Sequence, residues 1–261
     1  MENRKLLFFD IDGTLLTEDT HIVPDSTISA LQKAKEKGHY IFINTGRPFS
    51  TIDQIIKDLN PDGYVCGCGT YVRFNDSVLY DRTLPKERCL EIVDLVKQTK
   101  VECILEGKYA VYFNSTIKNE RLAYIKERYL EANFNVKTIE DPDIRFDKFA
   151  IWFDDSADVE TFKKGIPDFT YIVRGEGFGE IVPSDCSKAT GIQFLSDYFN
   201  TPLDNCYVFG DSSNDESMLS YVKHAIVMGN GEPYLFEYAH YVTKHIDDDG
   251  IQHALEHLKI I

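Results

Sequence analysis

Three things are scarce in this chain, and each scarcity removes a class of function. Positive charge is the first: 28 lysines and arginines face 43 aspartates and glutamates, for a formal net charge of -15. Nucleic acid or an anionic membrane surface is then a poor main partner. An anionic substrate would have to be drawn in by local positive charge or by a metal ion. Long apolar runs are the second. No segment is long enough to cross a bilayer, and the run after the polar Met1–Lys5 spans four residues before Asp10, which is not the pattern of a secretory signal. Organised cysteine is the third. The six cysteines show no framework spacing. Cys66-Gly67-Cys68 reads as strand with both thiols on one face, and no second pair completes a zinc site, so buried thiols are expected. A reducing cytoplasm is the simplest location.

What the chain does have is an apolar strand that stops at two acids. Leu6-Leu7-Phe8-Phe9 is short and wholly apolar, as in a strand buried on both faces of a parallel sheet, and Asp10-Ile11-Asp12-Gly13-Thr14 follows it. Asp10 and Asp12 should therefore stand at the carboxyl end of a parallel strand, where open α/β sheets bind their ligands. Asp-x-Asp-Gly is also an ordinary turn. A calcium loop starting at Asp10 is excluded, because His21 occupies its twelfth position instead of Glu.

The alternation of strand and helix continues. Asp25 or Ser26 is expected to cap a helix with Ile28, Leu31 and Ala34 inward, ending at Gly38. Tyr40–Ile43 reads as the second strand, followed by Asn44-Thr45-Gly46-Arg47-Pro48 and a helix from Pro48 burying Ile52, Ile55, Ile56 and Leu59. A third strand, Tyr64–Cys66, precedes a hairpin turning at Asn75-Asp76. From Leu84 the texture changes to helices followed by antiparallel strands, an α+β unit in which helix-strand-strand appears twice. The first pattern resumes at Lys188 and includes a strand, Cys206–Phe209, running into Gly210-Asp211-Ser212-Ser213-Asn214-Asp215. The expected architecture is an α/β, Rossmann-like parallel core of residues 1–83 and 184–261, flanked by helices, with an inserted α+β cap domain of residues 84–183.

Asp10-x-Asp12, Thr45-Gly46, Lys188 and Asp211-x-x-x-Asp215 fall at three strand ends and one helix start, and a parallel sheet brings such positions to one rim. Taken singly, each reads as a turn or a solvated residue. Their joint occurrence in this order does not. The set resembles the haloacid-dehalogenase superfamily and, within it, the Cof-type sugar-phosphatase-like hydrolases, over nearly the whole chain. One position departs from that pattern: Cys68-Gly69 stands where Asn-Gly is usual, which bears on substrate preference.

The resemblance implies a phosphatase of small phosphorylated metabolites. Asp10 would be the nucleophile, Asp12 the acid/base, and Thr45 and Gly46 the phosphate binders, with Lys188 spreading positive charge. Mg²⁺ would be held by Asp10, Asp12 through its carbonyl, Asp211 and Asp215, with Asn214 orienting ligands. Four carboxylates against one lysine make a divalent cation nearly obligatory, and one acid, expected to be Asp12, should keep its proton. In the cap, Glu180 matches the family's acidic position before Ile-x-Pro. With Arg47 it suits hydroxyl groups, so sugar or polyol phosphates are the expected substrates. Two alternatives stay open: a phosphomutase, and a phospho-accepting module of the receiver type. His253 and His257, four apart on the last helix, lack the glutamate of a His-Glu-x-x-His motif and read as helix surface. Asp247–Asp249 should precede a helix start.

Overall fold

The computed structural model describes residues 4–261. The polar start read above as lacking a secretory signal lies largely outside them, at residues 1–3. Two compact units form. One comprises the chain up to Gly46 with Asp53–Leu79 and Ser187–Ile261, the other Arg47–Ile52 with Tyr80–Cys186. No helix among the described residues is long and apolar enough to cross a membrane.

In chain order the first unit begins with β1 (Leu6–Phe9), α1 (Asp25–Glu36), β2 (Tyr40–Asn44), α2 (Gln54–Asp58), β3 (Gly63–Cys66), β4 (Tyr71–Phe74) and the first three residues of β5 (Ser77–Asp81), whose last two fall in the second unit. The second unit carries α3 (Lys86–Thr99), β6 (Glu102–Glu106), β7 (Val111–Phe113), α4 (Glu120–Glu131), β8 (Val136–Thr138), β9 (Lys148–Trp152), α5 (Val159–Lys164), β10 (Phe169–Gly175) and β11 (Phe178–Pro183). The first then resumes with α6 (Lys188–Tyr198), β12 (Cys206–Gly210), α7 (Glu216–Leu219), β13 (His224–Val227), β14 (Tyr241–Val242) and α8 (Gly250–His257).

The first sheet runs β14-β13-β12-β1-β2-β3-β4-β5. It is parallel from β14 to β3 and turns antiparallel at β4. All four residues of β1 are fully buried, as an apolar strand at the centre of a two-faced sheet must be. The second sheet runs β10-β11-β9-β6-β7-β8. One of its faces, with Cys103, Leu105, Phe149, Ile151 and Ile181, packs with Ile92, Val96 and Phe162 from α3 and α5. Helix-strand-strand occurs three times there, because β8 adds a strand after α4 that the sequence reading missed.

Several local expectations are corrected. Helix α1 starts after Pro24 with no side-chain cap; Leu31 and Ala34 face inward as read, but Ile28 is exposed and Thr27 and Ala30 complete the buried stripe. The helix expected from Pro48 is interrupted. A short 3-10 turn, Phe49–Thr51, precedes extended Ile52 and Asp53, and only then does α2 begin. Ile52 and Ile56 are buried, but Ile55 faces out. Cys66 and Cys68 do not share a strand face, because Cys68 sits in a tight turn with left-handed backbone, φ 55°.

Candidate active site

Three neighbouring strands deliver the acidic cluster to one edge. Phe9 of β1 lies in register with Phe209 of β12 on one side and Ile43 of β2 on the other, and the Phe9 and Phe209 rings stack at 4.4 Å. Asp10, Asp211 and Thr45 each follow directly on the last residue of their strands. The Asp10 amide donates to the Phe209 carbonyl at 3.0 Å, carrying the ladder one residue beyond the strand. The chain then folds tightly, the amides of Leu15 and Leu16 donating to the Ile11 carbonyl. Gly13 has φ +76°, and a Cβ there would run into the Asp211 carboxylate. Glycine is therefore required for both conformation and close approach.

Lys188 is the first residue of α6. Ser187 caps that helix reciprocally with Thr190, and the Asn44 side-chain amide donates to the Lys188 carbonyl at 3.1 Å. The lysine therefore starts a capped helix with its carbonyl anchored. Its Nζ donates to Asp10 Oδ1 at 2.6 Å, Asp215 Oδ1 at 2.5 Å and Asn214 Oδ1 at 3.1 Å, using all three of its donors. Asp215, fully buried, spends its other oxygen on the amides of Asp211 and Ser212, at 2.9 and 3.1 Å. It positions Lys188 and the loop at once.

The electrostatics are lopsided. Asp10, Asp211 and Asp215 are all buried, and one oxygen from each lies within 4.8 Å of the others. Burial, with Asp215 and Asp12 nearby, pushes the Asp10 carboxyl up to about 7 although Lys188 opposes this. Burial and the neighbouring Asp215 and Asp10 push Asp211 up to about 8 against the Thr14 hydroxyl and Lys188. Burial works against the Lys188 charge, but Asp10 and Asp215 outweigh it and hold the ammonium well above its ordinary range. Burial and mutual repulsion thus raise both Asp10 and Asp211 in the metal-free cluster. Three close carboxylates with hard oxygen donors suit a divalent cation such as Mg²⁺.

Thr45 is buried; its amide donates to the Val65 carbonyl at 2.9 Å, and its carbonyl accepts from the Cys68 amide at 3.1 Å. The left-handed turn at Cys68 thus braces the Thr45-Gly46 loop. Asp12 is half-buried in the loop after β1. Arg47 and Glu180 belong to the second unit. The Arg47 guanidinium donates to the Thr51 carbonyl at 3.5 Å, and Glu180 lies on β11 opposite Ala150 of β9. His253 hydrogen-bonds with the Tyr241 hydroxyl at 3.1 Å, and His257 stacks on the Tyr241 ring at 4.1 Å.

The sequence reading gave no role to three supporting residues. Thr14 donates to Asp211 Oδ1 at 2.6 Å. Asn44 anchors Lys188. Asn230 donates to the Gly13 carbonyl at 2.8 Å and accepts from the Ile246 amide at 3.0 Å, tying the loop after β13 to the loop after β1. The available signal for Asn230 was Gly229-Asn230-Gly231, a turn just beyond a buried strand, at the same edge as the other motifs.

Residues 7–255 match the model of the haloacid dehalogenase-like hydrolases. The chain belongs to that family. Its motifs are those of the Cof-type branch, and it is a phosphatase. It is 30% identical to the protein YkrA of Bacillus subtilis, with 98% of each chain covered. It is 26% identical to the B. subtilis 5-amino-6-(5-phospho-D-ribitylamino)uracil phosphatase YitU, with 96% of each covered. Among solved structures, the subclass IIB sugar phosphatase BT4131 is 30% identical and superposes with a TM-score of 0.83, over 98% of this chain and all of the other.

Proposed function

We propose that this phosphatase hydrolyses sugar or polyol phosphates through an aspartyl-phosphate on Asp10, with Mg²⁺ as its cofactor. The observation that carries the reading is the buried Lys188 ammonium, which bridges Asp10 and Asp215 at the carboxyl edge of β1 and β12. A lysine so committed fixes the Asp10 carboxylate in place and leaves it one free oxygen. That oxygen attacks phosphorus while the bond to the leaving oxygen breaks, and Asp12 supplies the proton the leaving alkoxide needs. Asp12 then takes a proton from water, whose oxygen attacks the phosphoryl group on Asp10, releasing phosphate and restoring the carboxylate. Thr45 and the Gly46 amide receive phosphoryl oxygens, and Lys188 offsets their charge.

Asp10, Asp211 and the Asp12 carbonyl would hold Mg²⁺. Asp215 and Asn214 would act behind them, since both Asp215 oxygens are already engaged. When bound, the ion would neutralise charge on the phosphoryl oxygens. Arg47 and Glu180, both in the second unit, are assigned to the leaving group. A sugar phosphatase among the structural neighbours, and a relative named for a phospho-ribityl substrate, support this substrate class. Membership of a hydrolase family removes the receiver-type alternative.

Asp10→Asn tests the nucleophile: the amide is nearly isosteric but cannot attack, so turnover of an aryl phosphate should vanish while the fold persists. Native-like hydrolysis with deamidation excluded would overturn the assignment. Arg47→Ala and Glu180→Ala should depress sugar-phosphate turnover far more than aryl-phosphate turnover, and equal losses on both would reject their role. A strict requirement for a bisphosphate activator would indicate a mutase instead.

A further inference from the structure

A cavity of about 410 Å³ lies wholly within the second unit, lined among others by Thr83, Lys108, Tyr112, Lys137, Arg145 and Asp147. Its volume suits a small molecule, and none of these residues has a part in the proposed phosphoryl chemistry.

The unusual member is Asp147, which is 3% exposed and makes no ion pair among the described residues. The cation that acts most on it, Lys108, pairs with Asp81, which also accepts from the Thr83 amide and hydroxyl at 3.2 and 2.5 Å. Apart from Lys108, the Asp147 carboxyl is eased chiefly by the Thr83 hydroxyl and Arg82. A buried carboxyl without a matched cation is costly. In the same cavity Arg145 lacks a carboxylate. Its guanidinium donates to the Ile144 carbonyl at 2.8 Å, and its amide to the Tyr112 hydroxyl at 3.3 Å. Lys137 is already paired with Asp141 at 3.0 Å. The cavity therefore offers one acid and one guanidinium, each short of a partner, beside the Tyr112 ring.

We infer that this cavity binds a small zwitterion of the α-amino-acid type, its ammonium taken by Asp147 and its carboxylate by Arg145. A guanidinium fork matches a carboxylate in geometry as well as charge. A simple anion fits less well, since Asp81, Asp143 and Asp147 all line the space. Burial pushes Asp147 up to about 7, helped by Asp81 and opposed by Lys108, Thr83 and Arg82, and Cys89 of α3 also faces it. An ammonium ligand must find this acid ionised, so affinity should rise between about pH 6 and pH 8.

The test uses the full-length protein. L-amino acids are titrated singly by calorimetry and thermal shift, with acetate and methylammonium as half-ligands. A free amino acid carries no phosphoryl group, so the readout is independent of the catalytic assignment. At least one L-amino acid should bind, more tightly at the higher pH. Asp147→Asn and Arg145→Gln should each weaken it by about tenfold while aryl-phosphate turnover stays unchanged. Arg145 is exposed, so its variant will fold even where Asp147→Asn does not. Absence of binding by every amino acid, equal binding of acetate, or affinity unchanged in Arg145→Gln would each overturn the proposal.

Discussion

Lys188 and Lys148 are both withdrawn from water, with side chains 0% and 3% exposed, yet their surroundings differ. Lys148 of β9 lies directly opposite Glu106 of β6 in antiparallel register, and their charges meet at 2.7 Å. Burial raises the Glu106 carboxyl, Lys148 pulls it back, and the nearby Glu180 adds to the rise. Lys188 meets Asp10 and Asp215 with Asp211 close by, so a single cation serves three acids. The direct Lys148–Glu106 contact stands as part of a packed sheet. A cluster short of positive charge stays strained until a cation joins it. The difference separates a structural ion pair from a site prepared for a ligand.

The largest expected effect breaks the Lys148–Glu106 contact. Lys148→Met should lower unfolding free energy by about 3–5 kcal/mol, because Glu106 stays buried without its cation and with Glu180 nearby, whereas Lys148→Met with Glu106→Leu should recover most of that loss. Urea denaturation of the two variants measures the contrast, and a harmless single substitution would show that the Lys148–Glu106 contact does not carry the burial of the acid. Next comes Lys188→Met, which should reduce kcat by about 10²–10³-fold. A similar kcat loss in the folded Lys148 and Glu106 double variant would erase the functional distinction between the two lysines.

Metal sharpens the comparison further. Mg²⁺ at a hundred times its dissociation constant should stabilise the protein by about 2.7 kcal/mol, and Asp211→Ala should lose most of that response. The pH dependence has a definite sign. Asp10 and Asp211 are raised to about 7 and about 8, above their unfolded values, so metal-free they favour folding at low pH and this contribution is lost as pH rises through that range. Mg²⁺ takes the deprotonated acids, so its stabilising increment should grow from about pH 6 to pH 9. A melting temperature indifferent to Mg²⁺ across that range would count against the site. The smallest effect is local: Ser187→Ala removes the cap of α6 and should cost about 1 kcal/mol with a modest loss of kcat, as Lys188 loses its fixed start. Calorimetry and steady-state rates read both.

The strand ends were legible in the sequence because each is an apolar run of four or five residues that stops at chemistry-bearing groups, as at Phe9-Asp10 and Phe209-Gly210-Asp211. What escaped was whatever tertiary contacts decide. Strand β8 is three half-buried residues with Lys137 at its centre, too short and too polar to show a period. Thr27 and Ala30 are buried in place of Ile28 because packing, not hydrophobicity, chose the face of α1. The break at Ile52–Asp53 has no glycine to announce it. Thr14, Asn44 and Asn230 act by hydrogen bonds across 144 to 217 residues of chain, and no local pattern carries that information.

The grouping of Arg47–Ile52 with Tyr80–Cys186 has a practical side for anyone who wishes to exchange substrate preferences between relatives. The Ser50 hydroxyl donates to the Gly107 carbonyl at 2.6 Å, and Ile52 is fully buried. A graft that transplants only the long insertion would leave this hexapeptide behind, its Ser50 hydroxyl without its Gly107 acceptor. A chimera made from both pieces keeps the donor's own contacts. The unit is modular in space but discontinuous in the gene, and recombination that treats it as one cassette will cut through it.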